Sequence, residues 1–338
     1  MLKTKIEWTD TTWNPVSGCT KVSQGCKNCY AELLHERFNG KGSFKKVTCH
    51  PTRLFKPLHW KKPRKIFVNS MSDLFHKDVK FEFIDMVFAI IALSPQHTFQ
   101  ILTKRSEIMR DYFSAPKSAL IARWENASYV LGLADKNEDA DAPACQIFNY
   151  SNNNWPLPNV WLGVSVENQM FADHRIRILK TISASVRFIS CEPLLGPVDL
   201  HSHLHCLPKE IEPFDENIHL VIVGGESGPG ARPMHPHWVK KIKEDCEEYN
   251  IPFFFKQWGE FYPMSLPFSS LTNWVNKAQT WLQGWRRGKD KCIDIHGLIC
   301  ERGADFQKAE YPVYAMLKMG KKKAGNVFLD GKNYLQLP

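Results

Sequence analysis

Six short apolar runs recur along this 338-residue chain, and their spacing restricts the fold more than any other feature. They are Lys65-Ile-Phe-Val-Asn-Ser70, Thr98-Phe-Gln-Ile-Leu-Thr103, Val160-Trp-Leu-Gly-Val-Ser165, Val186-Arg-Phe-Ile-Ser190, His219-Leu-Val-Ile-Val-Gly224 and Pro252-Phe-Phe-Phe-Lys256. Runs this short, rich in β-branched and aromatic residues, suit strands buried on both faces. Segments of helical period lie between them: Phe81–Leu93, Arg105–Phe113, Phe171–Ile182 and His237–Tyr249. Counted from Ile66, Phe99, Val160, Val186, Leu220 and Phe253, the intervals are 33, 61, 26, 34 and 33 residues. Strand–helix units of about 30 residues are the βαβ signature, and right-handed crossovers close them into a barrel or a doubly wound sheet. The long interval contains Ala134–Asn154, which is acidic, Asn-rich and without pattern, and reads as a surface insertion within residues 114–158.

Almost every run ends in polar groups. These are Asn69-Ser-Met-Ser-Asp73, Thr103-Lys-Arg105, Ser165-Val-Glu167, Ser190-Cys-Glu192, Gly224-Gly-Glu-Ser227 and Lys256-Gln-Trp258. In parallel (βα) barrels the site is built from the loops at these C-terminal strand ends. An open sheet would concentrate it at one switch point. The expected fold is therefore α/β, a partial TIM-like (βα) barrel over residues 1–260, with one further strand before Cys19 and a C-terminal extension over 261–338.

Cys19, Cys26 and Cys29 are spaced C-x6-C-x2-C, and a helical stretch from Ala31 to Phe38 follows at once. Three close thiols suit an iron–sulfur cluster or another soft metal. A structural zinc site would need a fourth ligand that is missing locally. The plainer readings are packed thiols or a zinc knuckle. His201, His203, His205 and Cys206 also invite zinc, although such alternation more often marks a metal-free loop.

The ten cysteines need not imply disulfides, because no apolar secretory core opens the chain, so a reducing cytoplasm is expected. No apolar run approaches the ~18 residues of a membrane span. The net charge of +9 permits a polyanionic partner. Trp274, Trp281 and Trp285 beside Arg286 and Arg287 read as a packed cap or as a base-stacking surface. The basic, Gly-rich Lys318–Gly331 segment reads as a tail element or a phosphate contact.

Seven motifs in order carry a family likeness. They are Glu7-Trp-Thr-Asp-Thr-Thr-Trp-Asn-Pro-Val-Ser-Gly-Cys19, Phe67–Phe75, Gln100–Arg105, Asn159–Glu167, Ser190–Pro197, Val223–His235 and Phe253–Gly259. Together they resemble the phage Gp37/Gp68 family (DUF5131), a domain family of unknown function. That family is in turn similar to radical S-adenosylmethionine enzymes, whose usual spacing is C-x3-C-x2-C; here the first gap is longer. The resemblance implies a [4Fe–4S] cluster on Cys19, Cys26 and Cys29, with S-adenosyl-L-methionine on its open iron and an external electron donor. It implies cofactor contacts from Tyr30, Ser70, Asp73, Lys104, Ser165, Glu167, Gly224, Gly225 and Glu226. Glu192, Lys256 and Cys191 remain as catalytic candidates, with Arg232 and Gln257 near the substrate; the plainer readings are a packed thiol for Cys191 and a buried salt-bridge network for the others. A nucleic acid is the expected substrate. The competing readings are a nucleic-acid-binding module with a structural zinc or cluster, and a degenerate barrel that serves as a partner subunit.

Overall fold

A computed structural model describes residues 4, 6–133, 143–205, 216–264, 289–300, 303–319, 328–329 and 332–338. Residues 134–142, Cys206, Trp274, Trp281, Trp285, Arg286, Arg287 and Lys321 to Lys323 fall outside these, so the readings placed on them lie outside the described residues.

Seven parallel strands form the central sheet. They are β1 (Thr11–Trp13), β2 (Lys65–Val68), β3 (Thr98–Thr103), β4 (Val160–Ser165), β5 (Val186–Cys191), β6 (Leu220–Gly224) and β7 (Phe253–Gln257). Their order in the sheet is their order in the chain. A strand order that never reverses, joined by crossovers of one hand, puts the helices on a single face and curls the sheet toward a barrel. All six expected strands are present, and the stretch before Cys19 supplies the seventh.

The side chains confirm the two faces. Ile66, Val68, Phe99, Ile101, Leu162, Val164, Ile189, Val221, Val223 and Phe255 pack outward into the large core with the helices. The helices in sequence are α1 (Tyr30–Asn39), α2 (Phe81–Ala92), α3 (Ser106–Phe113), α4 (Lys117–Val130), α5 (Pro143–Asn153), α6 (Gln169–Lys180) and α7 (Pro236–Glu248). The alternate residues Phe67, Trp161, Phe188, Leu220, Ile222 and Phe254 form a separate inner cluster closed from below by Trp8. The curled sheet is therefore filled at its base, as small barrels are. Its polar strand ends are left at the other side.

The insertion differs from its sequence reading. Where a pattern-poor surface stretch was expected, α5 buries Ala144 and Ile147. Trp124 of α4 stacks on Phe88 of α2 at 5.3 Å. The two helices thicken the outer layer.

After residue 260 the chain leaves the parallel sheet. Phe261–Pro263, Lys291–Ile293, Ile299–Cys300 and Tyr314–Lys318 make an antiparallel sheet, β8 to β11 in chain order. The last residues return to the edge of β7, where Phe255 donates its backbone N–H to Tyr334 at 2.7 Å. Covering that edge blunts strand pairing with other chains. His235, fully buried at the start of α7, ties the two parts together. Its Nε2 lies 3.1 Å from the Pro312 carbonyl, and its Nδ1 accepts from the His237 amide at 3.1 Å. These partners suit a neutral ring with the proton on Nε2.

Two outcomes are expected. Gly163 lies against the Phe188 ring, where an added Cβ would sit 2.5 Å from ring atoms. Gly163→Ala should cost about 1–3 kcal/mol in urea unfolding. In a double-mutant cycle with Phe188→Leu the pair should lose less than the sum; additive losses would refute the contact. Burial holds the His235 imidazole down at about 4, against an ordinary 6.5. Between those values the unfolded chain binds more protons than the folded one, so stability falls as pH drops from 6.5 toward 4. His235→Gln should flatten that part of the stability–pH curve.

Candidate functional site

The three cysteines leave β1 on a loop that returns to the mouth of the sheet. Gly18 begins it at φ +84, with the Lys46 carbonyl 2.1 Å from where a Cβ would be, so only glycine fits. Cys29 caps the N-terminus of α1. All three thiols are free and half-buried. Cys26 is close enough to both others to raise the cost of ionising either. Burial pushes the Cys19 thiol up to about 11, with Arg105 opposing and Asp73 adding to the rise. Burial also raises Cys29, against backbone donors from Glu32 and Ala31.

The loop is laced to the strand ends by charged side chains. At β3, Arg105 places Nη1 3.5 Å from Cys19 Sγ and donates through Nη2 to the Thr20 carbonyl at 2.8 Å. Asp73 holds that guanidinium at 2.9 Å and also accepts from Thr103 at 2.7 Å. At β4, Glu167 is fully buried. It accepts from Ser23 at 2.6 Å, Lys104 at 2.6 Å and Arg175 at 3.1 Å. Gly25 lies so close that a Cβ would come within 2.5 Å of the Glu167 carboxylate. Beyond β6, Glu226 accepts from Asn28 at 3.0 Å and from Arg232 at 2.7 Å, and Arg232 also donates to the Gln24 carbonyl at 2.9 Å. At β2, Tyr30 donates to the Ser70 carbonyl at 2.6 Å.

Sequence-predicted residues are therefore brought together in unequal ways. Glu167 and Glu226, expected to meet a cofactor, turn their carboxylates to the loop that carries the cysteines, while Asp73 spends its own on Thr103, the Lys104 amide and Arg105, whose guanidinium reaches the loop. Lys104 bridges Ser165 at 2.5 Å and Glu167. Glu192 and Lys256 do face each other, at 2.7 Å, and remain partly exposed in the mouth. Gly224 leaves them space, since a Cβ there would sit 2.6 Å from Glu192 Oε1. Gly225 lies against the Trp258 carbonyl, 2.1 Å from its Cβ position, so it packs backbone on backbone. Gln257 is bonded to Ser227 at 3.0 Å.

Cys191 is packed: it is fully buried on the outer face of β5, in the core beneath the helices, as the plainer of its two sequence readings has it. Burial raises its thiol well above the ordinary range. A strand buried on both sides shows no polar alternation to tell its faces apart. Of the histidine group, Cys206 lies outside the described residues. His203 bonds Asp173 at 2.8 Å, and His201 lies beside Tyr249 and brings a ring nitrogen within 4.8 Å of carboxylate oxygens of Asp245 and Glu248. Two residues were missed. Arg105 carried a signal, since it sits at a polar strand end. Glu7 had only its place in the first motif, yet it senses the mouth: desolvation raises its carboxyl, Lys256 opposes and Glu192 adds.

Three thiols on one loop, with no fourth ligand close in sequence, suit an iron–sulfur cluster or another soft metal with an open position.

Removing the Glu167 carboxylate would strand Lys104 and Arg175 without their partner. Glu167→Ala should cost about 3–5 kcal/mol in chemical unfolding. A loss under about 1 kcal/mol would show that the clamp does not hold the loop.

Comparison with curated proteins finds no match. Two solved structures resemble the chain in shape. Spore photoproduct lyase with bound AdoMet and dinucleoside spore photoproduct is 8% identical, with a TM-score of 0.37 over 92% of this chain and 69% of that one. Spore photoproduct lyase complexed with dinucleoside spore photoproduct is 8% identical, with a TM-score of 0.36 over 91% and 68%. The sequence pattern described as "Protein of unknown function (DUF5131)" matches residues 3–338, and the chain belongs to that family.

Proposed function

We propose that the protein is a radical S-adenosylmethionine enzyme whose Cys19, Cys26 and Cys29 hold a [4Fe–4S] cluster. The observation that carries this reading is the placement of three free, half-buried thiols at the polar mouth of a parallel half-barrel. When bound, the cluster and its cofactor would supply a 5′-deoxyadenosyl radical that takes hydrogen from a substrate.

The chain's own residues have distinct tasks. Glu167, Glu226 and the Asp73–Arg105 pair fix the loop, so the three sulfurs are positioned before anything binds. The Arg105 guanidinium puts a positive charge beside Cys19 and favours its thiolate, the form that binds metal. Lys104, Ser165 and the Gly224-Gly225 turn line the cofactor's side of the mouth, and Tyr30 stands at its rim, its hydroxyl on the Ser70 carbonyl and its ring exposed on α1. Glu192, Lys256 and Glu7 line the substrate's side, where a partly exposed ion pair can orient a polar group or hold a proton.

A nucleic acid is the substrate class this reading favours, from the basic charge and the phage-family likeness. Cytoplasm is its proposed compartment; no described helix is long and apolar enough to cross a membrane.

The test is anaerobic reconstitution with iron and sulfide, then reduction with S-adenosylmethionine present. The wild type should release 5′-deoxyadenosine and Cys26→Ala should release none. Wild-type protein that binds one zinc, stays colourless and leaves the cofactor intact would support the zinc-module reading instead.

A further inference from the structure

The helix that starts at Cys29 turns an apolar face outward. Tyr30, Leu33, Leu34 and Phe38 of α1 are 55%, 47%, 45% and 76% exposed, and Val22 on the cysteine loop is 44% exposed. Their spacing of three and four puts them on one side of the helix. The helix is seated through Ala31, which is buried, and His35, whose ring meets Phe44 edge-on at 5.5 Å. Large apolar side chains exposed together mark an interaction site more often than a free surface.

Charge around this face has one sign. Between residues 19 and 46 the exposed charged side chains are Lys21, Lys27, Arg37, Lys41, Lys45 and Lys46, all basic. The two acids in that stretch are half-buried and engaged. Glu32 pairs with Lys21 at 2.8 Å, and Glu36 accepts from the Gly42 amide at 2.7 Å. A partner for the face must therefore be acidic, with an apolar centre.

We infer that the outer face of α1 docks an acidic one-electron carrier protein that reduces the cluster. This rests on the function proposed above, which needs one electron delivered to the cluster before the radical can form. The location serves that transfer. α1 begins at the residue after a cluster ligand, and its apolar face extends only about 12 Å along the axis from Tyr30 to Phe38. Five side chains with a charged rim match the small contacts typical of electron-transfer pairs. Leu33 and Leu34 offer neither stacking nor hydrogen bonds, which separates this face from a single-strand nucleic-acid platform of aromatic and basic groups.

The experiment uses oxidised and photoreduced flavodoxin as the acidic carrier, with full-length wild type, Phe38→Ser and Lys41→Glu/Lys45→Glu. Binding of oxidised flavodoxin to cluster-free protein is read by flavin fluorescence. Cluster reduction is read by absorbance, with dithionite as the small reductant. Wild type should bind in a salt-sensitive way, and both variants should lose roughly tenfold or more in binding and in flavodoxin-driven reduction. Reduction by dithionite should stay at the wild-type rate. Equal binding by wild type and variants, or none by wild type, overturns the inference. So does variant loss of a single-stranded oligonucleotide or an anionic phosphatidylserine vesicle with flavodoxin binding unchanged. Flavodoxin binding to the face of a protein that assembles no cluster would keep the surface and refute the radical-enzyme reading.

Discussion

The structure depends on a buried carboxylate. Glu167, at the end of the fourth strand, is sealed from solvent between Lys104, Arg175 and Ser23, with Gly25 pressed against it. A buried charge is tolerated only when its partners are complete. Here the partners come from the third strand's end, from the sixth helix and from the cysteine loop. The strand end and the helix supply the two cations, and the loop completes the site with the Ser23 hydroxyl. Arg105 with Asp73, and Arg232 with Glu226, pair at two more strand ends. Three ion-paired carboxylates thus tie a loop of eleven residues from Cys19 to Cys29 to the barrel mouth.

This anchoring divides the site into a cradle and a working face. Acidic groups that would attract a cofactor from solution are turned toward the loop and neutralised. What stays accessible is the Glu192–Lys256 pair with Glu7 near it, over the apolar floor of Trp161, Phe188 and Phe254. On the outer side, the same loop continues into α1, whose exposed apolar face is surrounded by basic groups.

Much of the fold was legible because each strand is buried on both faces. Runs such as Leu220–Val223 and Phe253–Phe255 have few alternatives to a covered parallel strand. The same property hid which face each residue takes: Cys191, readable as a packed thiol or as a hydrogen donor, lies beneath the helices. Glu167 and Glu226 stood out at polar strand ends, but their partners did not. Glu226 meets Asn28 and Glu167 meets Ser23 across separations of 198 and 144 residues, which no local pattern encodes. The insertion's helical character was missed because Asn and Asp, common in it, favour turns unless tertiary burial overrides them.

The central claim is that the three thiols hold a cluster and not a single zinc. The most direct measurement is the iron, sulfide and zinc content of protein purified without oxygen, alongside its low-temperature Mössbauer spectrum. The account predicts brown protein with about four irons and as many sulfides per chain, in the spectrum of a [4Fe–4S] cluster. One zinc per chain, no acid-labile sulfide and no iron signal after reconstitution would contradict it.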